Sequence, residues 1–333
     1  MLKSFAEIPE LTPQFLIDPY IPRTGITLIA GDGGVGKSYV ECSLIADLSR
    51  GSRTILDQEE TMDFTAKRRK PLKILLLNAE DDPSYVTAGR LRQCGADMFR
   101  VFTPDYEDLP NYKIGTPYFE SNVSSAGVDL VVIDPIQAFL PSNVAYGQRE
   151  KMRQCLNTLN QLGHKHYISF LITVHTNKTK GSGGRSRLSG SADLWDIARS
   201  VMVIGKAEDE DERYISHEKT NYAFAGPTVI YILQDGIPTA IRTVSERDAY
   251  FCSLRRNKPS ERDSKLGSAQ KFILDQLASG EISIGELDRL AVENGISAPT
   301  LERAKKILYQ SGAIKRKNTG FGKTKAHILR LGS

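Results

Sequence analysis

The stretch "GDGGVGKS", Gly31 to Ser38, constrains this chain more than any other. It fits GxxxxGK[ST] and lies between an apolar run, "GITLIA" (25–30), and a helical pattern carried by Val40, Leu44, Ile45 and Leu48. Glycines at Gly31, Gly33, Gly34 and Gly36 let backbone N–H groups wrap a triphosphate. The start of the following helix adds favourable dipole charge. In this pattern Lys37 reaches the outer phosphates of ATP, the Ser38 hydroxyl binds Mg²⁺, and Tyr39 adjoins them in the cofactor-binding set.

The surrounding sequence alternates strand and helix. Strands are expected at 25–30, 73–77 ("KILLL"), 129–133 ("DLVVI"), 168–174 ("ISFLITV"), 200–204 ("SVMVI") and 228–233 ("TVIYIL"). In "REKMRQCLNTLNQL" (149–162), Met152, Cys155, Leu156, Leu159 and Leu162 share one helical face. Unbroken apolar strands separated by amphipathic helices predict an α/β fold with a mainly parallel sheet covered on both sides. Beyond about residue 200 the strands are separated by turns, which predicts an antiparallel extension of that sheet.

Two apolar runs end in acid. "DLVVIDP" puts Asp134 at the end of a buried strand, placed to hold the Mg²⁺ shell. "ILLLNAEDD" (74–82) runs into Glu80, Asp81 and Asp82. Asp82 precedes Pro83 and is expected to cap the helix beginning "PSYVTAGRL". Asp81 is open between a role behind the metal and simple solvation.

Four segments, "GDGGVGKS", "LLLNAEDD", "VVIDP" and "LITVHTNKTKGSGG…GSADLWDIARSVMVI", occur in the order found in RecA-like P-loop ATPases. They are most similar to the RepA-like branch related to the hexameric replicative helicases, over roughly residues 16–235. The resemblance implies a RecA fold assembled as a ring, a hexamer, with ATP between subunits. It implies that Glu80 activates water and that His175 senses the γ-phosphate and links it to a DNA-binding loop. Arg199, in "DIARSV", matches an arginine finger supplied to a neighbour. Lys219, in "HEKTN", resembles the lysine of a Lys-x-Arg pair, with Asn221 where that arginine would stand. The segment after His175, residues 176–191, carries Lys178, Lys180, Arg185 and Arg187 and no acid. A basic loop there is expected to grip single-stranded DNA in the ring's pore without stacking on bases, since no aromatic residue interleaves the charges.

Charge divides the chain. Residues 255–333 hold 16 Lys/Arg against 8 Asp/Glu, leaving an acidic balance of 28 against 32 before them. From Arg303 onward there are nine basic residues and no acidic one. That skew predicts an ATPase domain over 1–254, a polar linker over 255–267 and a second domain over 268–333. Helices are expected at 268–280, 285–295 and 296–312, with Ser297 capping the third, then a hairpin around "NTGFGK". This order resembles a winged helix-turn-helix. It would offer Arg303 and Lys306 of the third helix to a groove, and Lys315, Arg316, Lys317, Lys323 and Lys325 of the wing to phosphates. A small protein-docking domain is the alternative.

No apolar run is long enough for a membrane span. Four scattered cysteines without a CxxC pair, and no apolar leader, predict a cytoplasmic protein with reduced thiols. The reading that gathers these features is a Mg²⁺-ATPase that translocates along or unwinds DNA in replication. A filament-forming recombinase or repair ATPase, and a DNA-binding regulator switched by ATP, are the competitors.

Overall fold

The structure, a computed structural model, describes residues 3–57, 69–144, 148–176, 183–257, 261–319 and 326–332. The chain divides into two compact units, Met1–Arg255 and Arg256–Ser333.

The strands of the first unit are β1 (Phe15–Ile17), β2 (Ile21–Pro22), β3 (Gly25–Gly31), β4 (Ile74–Asn78), β5 (Val101–Phe102), β6 (Leu130–Asp134), β7 (Ser169–His175), β8 (Ser200–Lys206), β9 (Arg213–Thr220), β10 (Thr228–Gln234) and β11 (Ile237–Val244). Its helices are α1 (Lys37–Arg50), α2 (Ala88–Gln93), α3 (Pro117–Ser125), α4 (Ile136–Phe139), α5 (Arg149–His166), α6 (Ala192–Ile197) and α7 (Asp248–Asn257), the last running two residues past the unit's boundary.

Nine strands form one sheet in the order β11-β10-β9-β8-β3-β7-β6-β4-β5. From β8 to β5 every pairing is parallel; β9, β10 and β11 add on antiparallel. The apolar runs lack alternation because both faces of the parallel part are buried. Leu28 and Ala30 of β3 point into one core with Leu75, Ile133, Ile172 and Val201, against Phe119, Leu156 and Leu159. Ile29, between them, points into the other with Leu76, Val132, Leu171 and Met202, against Leu44, Ile45 and Leu48 of α1. The two-residue period of a strand thus feeds two cores from one sheet.

The predicted helix at 149–162 runs on to His166 and ends where Tyr167 takes a positive φ of 62°. Its five named apolar residues are all buried. His164 and His166 are exposed in its last turn, where the helix dipole favours positive charge.

The second unit contains α8 (Glu261–Ala278), α9 (Ile284–Glu293) and α10 (Ala298–Gln310), with β12 (Ile282–Ser283), β13 (Ile314–Thr319) and β14 (Ala326–Leu331) in an antiparallel sheet ordered β12-β14-β13. Ile273, Leu277, Leu287, Leu301, Ala304, Leu308 and Leu329 form its core. Ser297 stands at the N-cap of α10 in extended conformation, but its hydroxyl pairs with the Thr300 hydroxyl at 2.9 Å rather than with a backbone N–H. Lys305 is a buried cation held by Asp288 at 2.5 Å and Glu302 at 2.9 Å.

The boundary between the two units falls within the expected linker over 255–267. Apart from 258–260, which lie outside the described residues, this stretch is helical. Helix-favouring charged residues suffice for the first turns of α8, and Leu266 then packs on the second unit's core.

Candidate active site

Four strand ends build the site. Gly31 ends β3 opposite His175, which ends β7; Asn78 ends β4 opposite Asp134, which ends β6. Ligand sites of open α/β sheets lie at this carboxyl edge. A Cβ on Gly31 would stand 2.7 Å from the Ile204 carbonyl oxygen, so the close approach of β8 requires glycine there. Gly36 is the N-cap of α1 with φ 97° and makes no side-chain cap, which leaves the first turn's N–H groups to an anion. Around Gly33 and Gly34 a Cβ would meet nothing within 4 Å, so this part of the loop borders open space.

The Lys37 side chain folds back into the loop. Its ammonium donates to the carbonyl oxygens of Gly31 (3.0 Å) and Asp32 (2.9 Å) and lies 3.2 Å from His175 Nδ1. An ammonium carries only donors, so Nδ1 accepts and the opposite nitrogen holds the ring proton. That Nε2 lies 3.0 Å from Glu80 Oε1 and donates to it. The three side chains form a continuous line from the buried lysine to a half-exposed glutamate at the cleft rim. Burial holds the Lys37 pKa below its ordinary value, against the opposing pull of Asp134 and Glu80.

Asn78 sets Glu80. Its buried side-chain oxygen accepts from the N–H groups of Glu80 (2.9 Å) and Asp81 (3.0 Å), closing a turn directly after β4. Ala79 N–H donates to the Asp134 carbonyl at 3.0 Å and ties that turn to β6. The three acids that follow β4 therefore have separate jobs. Glu80 meets His175, Asp81 pairs with Arg90 at 2.6 Å, and Asp82 accepts from Ser84 and Tyr85 N–H at the head of the next helical turn.

Asp134 is 2% exposed, and burial followed by Glu80 raises its pKa to about 6. Glu41 of α1, unforeseen from the sequence, is equally buried and accepts from the Thr173 hydroxyl at 2.7 Å. Burial and Asp134 push its pKa well above the carboxylate range. Its signal was a lone acid one turn beyond Ser38 on a face otherwise given to packing.

A cleft of about 230 Å³ runs between these groups, lined by Gly34, Gly36, Lys37, Ser38, Tyr39, Glu80, Arg90, Asp134, His175, Arg213 and Leu233. Arg90 lies over the Tyr39 ring at 5.0 Å. Ser38 and Asp134 present hard oxygen donors in the same cleft, and the buried Asp134 charge favours a cation beside it. Among the described residues no cluster of three His, Cys, Asp or Glu could cage a metal alone. The Ser38 and Asp134 oxygens suit Mg²⁺, which is commonly bound through one or two protein oxygens plus substrate phosphates.

Other expected site residues are not brought to the cleft. Arg199 precedes β8 at the opposite end of the sheet, its N–H on the Ile26 carbonyl and its guanidinium 6.0 Å from the Tyr222 ring. The length of β3 puts roughly 20 Å between that edge and the phosphate loop. Lys219 pairs with Val201 near the same far edge. Its ammonium donates to the carbonyls of Trp195 (2.8 Å), Asp196 (3.0 Å) and Ala198 (2.8 Å), so within this chain it closes the C-terminus of α6 and is not a ligand to the cleft.

Arg187 is also corrected. It is 3% exposed, with Asp32 at 2.8 Å and Asp248 at 2.5 Å, so in this arrangement it does not face DNA. Asp248 is itself buried at the head of α7 and accepts from Tyr214 Oη and Gly184 N–H, each at 2.6 Å. Arg185 is exposed and pairs with Asp196 at 2.6 Å. Lys178, Lys180, Lys323 and Lys325 lie outside the described residues. In the second unit Arg303 and Lys306 are exposed on α10, and Lys315, Arg316 and Lys317 on β13, with Lys317 paired to Glu281 at 3.2 Å.

Comparison with solved structures finds an ATPase domain, with TM-score 0.49 and 12% identity over 66% of this chain and 86% of that one. No curated protein matches. The profile of the AAA domain family AAA_25 matches residues 4–181, which hold the phosphate loop, Glu80, Asp134 and His175. The chain belongs to this AAA domain family.

Proposed function

We propose that the cleft binds Mg-ATP and hydrolyses it, and that the chain works as a ring-forming DNA motor of replication. The observation that carries the reading is the line Lys37–His175–Glu80 at the mouth of a glycine phosphate loop. Lys37 here donates to the carbonyls of Gly31 and Asp32. A triphosphate draws the ammonium away from them and frees His175 Nδ1. His175 then re-aims, and Glu80, held by the Asn78 turn at the cleft rim, orients an attacking water. Ser38 and Asp134 would hold Mg²⁺, whose chemistry there is to neutralise charge on the phosphate oxygens.

The cleft's own chain keeps Arg199 at the far edge of the sheet. The finger role is therefore assigned in trans, with one copy's far edge set against the next copy's phosphate loop. The exposed Arg303, Lys306, Lys315 and Arg316 support duplex DNA at the second unit, read as a winged helix.

The test is Mg-ATP turnover by wild type, Lys37→Ala and Glu80→Gln, each with and without single-stranded DNA, beside a strand-separation assay. Both variants are expected to lose turnover, Glu80→Gln while still binding nucleotide, and DNA is expected to stimulate the wild type. Wild-type turnover by Lys37→Ala would contradict the site. Turnover and ATP-dependent DNA binding without strand separation would make the protein a switch rather than a motor.

A further inference from the structure

The antiparallel extension brings one more cation to the cleft. In β8–β9 pairing, Lys206 at the carboxyl end of β8 faces Arg213, the first residue of β9. That register returns the chain to the edge where the phosphate loop lies, whereas Lys219, at the other end of β9, is carried away from it. Arg213 lines the cleft with Gly36, Ser38 and Tyr39. Its Cδ and Nε stand 3.6 Å from where a Cβ on Gly36 would be, beside the N-terminus of α1.

The guanidinium is not locked in place by the protein. Nη1 donates to the Asp211 carbonyl at 3.1 Å, while Nε is buried with no hydrogen-bond partner among the described residues. Behind it, Tyr231, which pairs with Arg213 across β9–β10, also has its buried hydroxyl without a partner. Buried donors left unmade are costly, and they concentrate where a ligand completes the set. Lys37 sits on the His175 side of the loop and Arg213 on the Gly36–Leu233 side.

We infer that Arg213 is a nucleotide-binding residue in cis that grips the α- and β-phosphates of a nucleoside di- or triphosphate. This rests on the cleft being the nucleotide site. Because it holds diphosphate and triphosphate alike, it supplies uniform binding and acts on KM rather than on kcat. The role is distinct from that of Arg199, which waits on a neighbouring copy.

The experiment titrates Mg-ADP into the full chain by calorimetry for wild type, Arg213→Ala and Arg213→Lys, and follows Mg-ATP turnover. Arg213→Ala is expected to weaken Mg-ADP binding about 10- to 100-fold, the scale of one lost charge-assisted phosphate contact. Arg213→Lys, which keeps the charge and the strand pairing, is expected to recover much of that loss. KM for ATP rises in step, with kcat within about threefold of wild type. If wild type binds Mg-ADP and both variants bind within twofold of it, the Arg213 assignment fails and the nucleotide reading stands. A fall in kcat at unchanged KM also overturns the assignment. If wild type binds no Mg-ADP, both readings fall.

Discussion

Acid should weaken the larger unit through one histidine. His217 is 1% exposed and lies 4.9 Å from the Tyr20 ring in a stacked arrangement. Its Nδ1 accepts the Gly226 N–H at 3.0 Å, so the ring proton sits on Nε2 and donates to Ser200 Oγ at 3.0 Å. Ser200 in turn donates to the Tyr20 carbonyl at 2.6 Å. A second ring proton would break the Gly226 bond in a dry site that already holds Arg247, bonded to the carbonyls of His217 and Gly226. Burial, then Arg247, lower the His217 pKa to about 4 from an ordinary 6.5. The folded value lies below the unfolded one. The neutral ring's contribution is therefore whole above pH 6.5, shrinks as pH falls, and is lost below pH 4. The full difference is about 3 kcal/mol, a sizeable part of a typical domain's 5–15 kcal/mol.

The assay is urea unfolding at pH 7 and pH 4, followed by the fluorescence of Trp195, the only tryptophan, which reports the larger unit alone. His217→Gln should be less stable than wild type at pH 7. It should then lose less than wild type on going to pH 4, by about 3 kcal/mol, since other acid-sensitive groups cancel in the double difference. Equal losses in the two proteins would refute the argument.

Other perturbations separate the roles argued above. Glu80→Gln should retain Mg-ATP binding while turnover drops about 10²- to 10⁴-fold, the usual scale for a lost proton-accepting group; rapid-quench measurement of a single turnover checks it. Arg187→Met should cost about 3–5 kcal/mol in unfolding experiments, because it strands the buried Asp248. Removal of residues 260–333 should weaken duplex binding, read by fluorescence anisotropy, and spare basal turnover; unchanged affinity would point to protein docking by the second unit.

The parallel sheet was legible because a strand buried on both faces writes an unbroken apolar run. β9 and β11 were not anticipated as strands, for the opposite reason. "RYISHEKT" mixes buried and charged positions, and "IPTAIRTV" is mostly exposed at the sheet's outer edge, so neither shows a run. There the apolar pattern gives away β10, and the short turns between strands give away the antiparallel direction of that part. In the cleft, Lys37, Ser38 and Asp134 stood out from a motif or a strand end, Glu80 and His175 from the family resemblance, and the structure brings the five side by side. Arg90 and Arg213 did not, since nothing local marks them; strand register and helix packing carry them in, while Glu41 shows only as a lone acid on a packing face and is buried against Thr173. Arg187 shows the converse. It stands among basic neighbours and reads as loop charge, yet its partner Asp248 is 61 residues away, and no spacing rule announces a buried pair made at that distance.

Turnover per chain, followed as protein concentration rises and paired with mass measurement in Mg-ATP, tests the central claim most directly. If the catalytic set is completed by Arg199 from a neighbour, activity per chain climbs with the assembled fraction, and Arg199→Ala chains mixed into wild type depress it more than their share. A chain that stays single throughout and hydrolyses ATP at an undiminished rate would contradict the account.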